Sequence, residues 1–197
     1  FNIFNELNAN NISLDVIDLK FQAELKWKLF RKLELSALGA LKYSATSQEH
    51  KIRENSNQAL AYRAMGDGTI INRNSWLYKD PDDPYALPVS ILPKGGFYNT
   101  AQYKMLSYDF RAAASYNDVF NDTHIVNVYA GMESNAQNRT ANSFDGWGMQ
   151  YENGEIPFFD YLAFKKLREG NTNYYDLTNT KKRNVAFFGT ATYSYKG

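Results

Sequence analysis

The chain has 197 residues, with 22 Lys and Arg against 21 Asp and Glu and a net charge of +1. That length is one domain or a large piece of one, and the balance argues against the concentrated single-sign charge of a nucleic-acid surface or a polybasic anchor. Cysteine is absent, which removes disulfides, thiolate metal sites and a Cys nucleophile, and two histidines, His50 and His124, are too few for a His-rich metal site. The 13 Phe, 15 Tyr and 3 Trp make the chain rich in aromatics. No apolar run reaches the roughly 18 residues of a transmembrane helix, but barrel strands alternate in polarity and leave no such run.

The chain opens at Phe1 without Met or a signal-like segment and closes just after a strand-like run, so it is expected to be a fragment of a longer protein. From Ile17 to Leu29 the odd positions are Ile, Leu, Phe, Ala, Leu, Trp and Leu, and the even positions are Asp, Lys, Gln, Glu, Lys and Lys. Period 2 without an error predicts a β-strand with one apolar and one polar face. The run exceeds an ordinary strand and fits the roughly 9–11 residues of a tilted membrane-crossing strand. After a short connection, Phe30 to Lys32, a second strand is predicted from Leu33 to Thr46, its odd face uncharged and its even face polar apart from Leu38 and Ala40.

A third strand is predicted from Gln102 to Tyr116, with Leu106, Tyr108, Phe110, Ala112 and Ala114 on one face and Asp109 and Arg111 on the other. The turn Asn117 to Thr123 leads to a fourth strand, His124 to Glu133. A fifth, Arg183 to Tyr195, sets Val185, Phe187 and Tyr193 opposite Asn184, Thr190 and Thr192. Connections alternate short and very long, the long ones being Ser47 to Ala101 and Ser134 to Lys182. Long structureless loops argue against a compact soluble domain, and this alternation is that of an outer-membrane barrel with tight periplasmic turns and large external loops. Weak helical spacing marks Phe158 to Glu169 in the second long loop.

Four stretches resemble the SusC/RagA type of TonB-dependent outer-membrane transporter. They are Glu54-Asn55-Ser56-Asn57 with Ala61-Tyr62-Arg63-Ala64; Leu92-Pro93-Lys94-Gly95-Gly96; the His124 strand closed by Gly131 and Glu133; and Phe188-Gly189-Thr190-Ala191-Thr192-Tyr193-Ser194-Tyr195-Lys196. The resemblance implies that residues 1–197 are a section of an antiparallel transmembrane β-barrel, about five strands and two long external loops of a 22-stranded wall. It places the plug and N-terminal domains elsewhere. It implies active import of a nutrient, an oligosaccharide or oligopeptide, across the outer membrane of a Gram-negative bacterium. The partners would be a SusD-like surface lipoprotein as lid, TonB acting through other parts of the protein, and the lipid bilayer. A passive porin or adhesin barrel, a soluble carbohydrate-binding β-sandwich and an outer-membrane hydrolase are the alternatives.

Chemistry-bearing motifs are sparse. The histidines are far apart with no carboxylate at ligand spacing. Asp80-Pro81-Asp82-Asp83-Pro84 lacks the spacing of a calcium loop and reads as an acidic turn. Glu152, Glu155 and Asp160 have no fixed separation for glycosidase chemistry. Gly146-Trp147-Gly148 lacks the strand–helix context of a dinucleotide fingerprint. The N-x-S/T triplets at Asn11, Asn121 and Asn138 are what an Asn-rich chain gives by chance. No catalytic residue, metal or cofactor site is expected. Aromatic faces stack on sugars or peptide side chains, so Trp76, Tyr78, Trp147 and Tyr151 in the long loops are the expected substrate contacts, with loop packing as the competing role for each.

Overall fold

The computed structural model describes residues 2–92 and 94–196; Phe1, Gly197 and Pro93 of the Leu92–Gly96 motif lie outside the described residues. The elements run α1 (Ile3–Ala9), β1 (Asn10–Phe30), β2 (Leu33–Ile52), α2 (Asn57–Arg63), α3 (Gly68–Arg73), β3 (Leu77–Tyr78), β4 (Val89–Ser90), β5 (Gly96–Phe120), β6 (His124–Gln150), β7 (Ile156–Pro157), α4 (Tyr161–Glu169) and β8 (Tyr175–Tyr195). One sheet has the order β1-β2-β5-β6-β7, with β8 also pairing β6, and β3 and β4 form a separate antiparallel ribbon. All five predicted strands are present. Each is longer than its alternating run, most of all β6, which continues to Gln150 and has 27 residues. The helix expected around Phe158 to Glu169 is α4, with Asp160 as its N-cap accepting from Leu162 N at 2.7 Å.

The chain divides into two compact units. The strand unit comprises Val16–Ala45, Tyr103–Thr140 and Asn179–Gly197. Its two faces separate as the alternation predicts. A shallow cavity of about 610 Å³ is lined by Leu25 and Trp27 of β1, Leu35 and Ala37 of β2, Ala112 and Ala114 of β5, Ala130 and Met132 of β6, and Phe187 of β8. Each predicted apolar row therefore contributes to one continuous surface. Asp109, Arg111, Glu133, Asn135 and Asn184 share another cavity. There Asn135 Nδ2 donates to Asp109 Oδ1 at 2.5 Å; elsewhere on the polar rows Lys42 lies 3.2 Å from Asp18. Leu38, the interruption in the polar row of β2, also lies in this cavity, and so does Phe110 from the predicted apolar row of β5.

Glycine allows one close approach on that polar face. A Cβ at Gly131 would meet the Phe188 ring. Phe188 lies 5.5 Å from the Tyr129 ring, and the Arg111 guanidinium sits over it at 4.8 Å. Two stretches quoted for the family resemblance thus meet across β6 and β8.

The short connections are built by local chemistry. Asn121 and Asp122 adopt φ of 51° and 55°, the left-handed pair of a type I′ hairpin, and Asn and Asp tolerate it. At the Arg31-Lys32 turn, Lys32 Nζ lies 2.7 Å from Asp118 Oδ1, and Tyr116 Oη donates to Asp118 Oδ2 at 2.8 Å. Asp118 is buried, so this pairing supplies the partners a buried carboxylate requires. His124 stacks on Tyr193 at 6.0 Å and bonds its hydroxyl at 2.7 Å, an aromatic cluster at the start of β6.

The loop unit comprises Phe1–Asp15, Thr46–Gln102 and Ala141–Thr178. It holds the main hydrophobic core: Ile52, Ala59, Tyr78, Ile91, Leu92, Phe97, Trp147 and Ala163. The first long loop, Ser47 to Ala101, is ordered by α2, α3 and the β3–β4 ribbon. Among the described residues no helix is long and apolar enough to cross a membrane.

If the uncharged surface of the strand unit meets hydrocarbon, Leu25→Arg costs about 2–4 kcal/mol. Refolding of the full-length protein into lipid vesicles under a denaturant gradient checks this, and a change near zero would remove the orientation.

Candidate functional site

The site grows out of how the first long loop is fastened. Ser56 is fully buried and caps α2, its Oγ accepting from Ala59 N at 3.0 Å. This delivers Arg63 at the end of α2 to three backbone carbonyls. Nε donates to Leu92 O at 3.0 Å, Nη1 to Glu54 O at 2.6 Å, and Nη2 to Gly95 O. A guanidinium presents rigid forked donors, so one side chain staples both ends of the loop. Burial lowers its pKa from the ordinary guanidinium value, but it remains the charged donor. Glu54 completes the staple, accepting from Tyr151 N at 3.2 Å and Glu152 N at 3.0 Å. The first two stretches that carry the family resemblance are therefore neighbours in space.

Glycine again permits the contact. Gly95 has φ of 77° and Gly148 of 76°, a Cβ on Gly95 would strike Gly148, and a Cβ on Gly96 would strike the Ile52 carbonyl. Helix α4 is fastened by Lys166, whose Nζ donates to Leu77 O at 2.9 Å and to Ser75 O.

These fastenings assemble a box of rings. Trp76 lies 5.2 Å from Phe97 at 64° and 6.0 Å from Trp147 at 53°; Trp147 meets Tyr174 at 6.2 Å and 90°. Tyr62 packs edge-on against Phe97 at 5.6 Å and 77°. Such tilted and edge-on pairs follow the ring quadrupoles. With Asn99, Asp145, Leu167 and Asn173 they line a cavity of about 280 Å³. The indole Nε1 of Trp147 is buried with no hydrogen-bond partner among the described residues.

Of the four expected contact residues, Trp76 and Trp147 meet in this cavity, whereas Tyr78 and Tyr151 are not in its lining. Tyr78 is buried in the core, with Lys165 Nζ 5.4 Å from its ring centre. Tyr151 Oη donates to Phe97 O at 2.6 Å, and burial raises its pKa. Trp147 itself is only 8% exposed, so it packs the loop as well as lining the cavity. Phe97 and Tyr62 carry no local sign of a binding role, because only the long-range staple brings them to this cavity, whereas Asp145 lies in the aromatic-rich segment 144–151. The remaining candidates have local roles. Asp80 and Asp83 accept from Asp82 N and Tyr85 N in successive turns, and Glu155 lies 3.7 Å from Lys51. His50 Nε2 contacts Asn10 Oδ1 at 2.5 Å; Asn10 Nδ2 donates to Glu6, whose Oε2 accepts from Asn57 N at 2.6 Å.

No family model and no curated protein matches the sequence. Solved structures do. The structure of the RagAB peptide transporter superimposes with a TM-score of 0.63 at 12% identity, covering 95% of this chain and 17% of that one. The RagAB peptide importer in its "open-open" state matches equally, with 16% of its chain covered. The fold is a section of an antiparallel β-barrel. The chain spans about one sixth of the length of those it matches.

Two outcomes follow from this geometry. Trp147→Ala costs the loop unit about 3–5 kcal/mol and Arg63→Met about 2–4 kcal/mol, read as accelerated proteolysis of the loops in the full-length protein. Acidification also weakens the unit. Asn10 holds Glu6 below the ordinary carboxylate range, and burial lowers His50. In both cases the unfolded chain binds its proton at higher pH than the folded one, so stability is complete above about pH 6.5 and declines as pH falls. The midpoint of thermal unfolding, followed by tryptophan emission, drops between pH 8 and pH 5, and His50→Gln flattens the upper part of that profile.

Proposed function

We propose that this chain forms part of the barrel wall and external loops of a TonB-dependent outer-membrane importer resembling the SusC/RagA type. The observation that carries the reading is the superposition of 95% of the chain on the RagAB peptide importer, together with the sorting of five strands into one uncharged and one polar surface. On this reading all 197 residues belong to the barrel domain. The plug and the TonB contact lie in other parts of the protein. A SusD-like lipoprotein closes over the external loops, and the cargo is an oligomer, a peptide or a glycan. Trp76 and Trp147 touch it from the ring-lined cavity; Tyr78 and Tyr151 hold the loops in shape.

The matched importer occurs in "closed-closed" and "open-open" states, and a lipoprotein lid that opens and closes over the loops of this chain is in keeping with that pair of states. Transporter rather than enzyme chemistry also agrees with the roles of Asp160 as a cap, Asp80 and Asp83 in turns and Glu155 beside Lys51.

Cells expressing the full-length protein in the outer membrane, with and without TonB, provide the test through uptake of labelled oligopeptides and oligosaccharides. Uptake is expected to vanish without TonB or with a protonophore. Uptake indifferent to both would identify a passive pore instead.

A further inference from the structure

We infer that the ring-lined cavity of the loop unit recognises the cationic side chain of a lysine or arginine residue in a peptide. This deepens the import reading and rests on it for the biological role, but binding is measurable without transport.

Three features select a cation. Four electron-rich rings, Tyr62, Trp76, Trp147 and Tyr174, line the space while packing tilted or edge-on against one another, 53° for Trp76 against Trp147 and 90° for Trp147 against Tyr174. A cation is attracted to the ring faces that border the space. Second, the charge is right. Asp145 is exposed and is the sole ionisable acid or base, Tyr hydroxyls aside, among the described lining residues, which include neither Lys nor Arg. Lys166, on the adjoining helix, is committed to the carbonyls of Leu77 and Ser75. Third, the size is right: a space of about 280 Å³ holds one long side chain rather than a folded ligand. Asn99 and Asn173, whose Nδ2 also donates to Asp176 Oδ1 at 3.1 Å, add amide groups to the lining that can meet the carbonyls flanking such a residue in a peptide, carbonyls that a free amine lacks.

Calorimetric titration of the full-length protein in detergent tests this with the tripeptides Gly-Lys-Gly, Gly-norleucine-Gly and Gly-Glu-Gly, and with maltotriose. Gly-Lys-Gly is expected to bind about fivefold more tightly than its norleucine analogue, with Gly-Glu-Gly weakest. Asp145→Asn is expected to erase most of that preference. Thr172→Lys, at an exposed lining residue, adds a competing cation and acts in the same direction, so either variant that keeps the heat-resistant barrel migration is informative. Equal binding of lysine and norleucine peptides, a preference unchanged in both variants, no binding of Gly-Lys-Gly, or tighter binding of maltotriose would each overturn the assignment. Loss of TonB dependence in the uptake experiment would instead overturn the import reading and leave this binding result standing.

Discussion

Everything in the strand unit follows from pairing backbone N–H and C=O groups between neighbouring strands. On the import reading these groups face hydrocarbon, which offers them no partner, so the wall must be a continuous ladder. A ladder forces successive side chains to opposite faces. The sequence exploits that geometry: Leu25, Leu35, Ala112, Met132 and Phe187 meet on one surface, while Asp109, Arg111, Asn135 and Asn184 meet on another. Among the described residues β1 pairs only with β2, and β8 only with β6. Their free edges are ladders awaiting partners, as expected of a section of a closed barrel.

The loop unit obeys a different rule. Its segments are held by a hydrophobic core and by polar side chains that reach backbone carbonyls far away in sequence. Arg63 ties Glu54, Leu92 and Gly95; Lys166 ties Leu77; Tyr151 ties Phe97. Buried carbonyls without a partner are costly, and these cations and hydroxyls supply the missing donors. The residues that carry the family resemblance thus serve the framework, and the rings that frame the cavity are placed by it. That is also why Trp147 has two roles, its bulk filling the core and one face bordering the cavity.

The strand unit was legible in the residues because its faces differ chemically. Ile17 to Leu29 alternates without error and the structure continues that strand back to Asn10, where Ile12, Leu14 and Val16 stand on the opposite parity. The change of parity at Val16-Ile17 is where the pattern stops being readable. In β6 the stretch from Ser134 to Ser143 is polar at nearly every position, so its strand character left no alternation to detect. A strand with polar groups on both faces is held by its ladder, not by burial, and hydropathy cannot register it.

Sequence alone determined the number of long strands, their order, the faces of each and the places of the two short turns, because period-2 chemistry and turn residues act locally. It also narrowed the candidate contacts to loop aromatics. Which of those rings border open space was decided only by the tertiary structure. Trp76 and Trp147 are 71 positions apart, and they meet because Arg63 and paired glycines draw distant backbone segments within hydrogen-bonding reach. That long-range closure leaves no local periodicity behind.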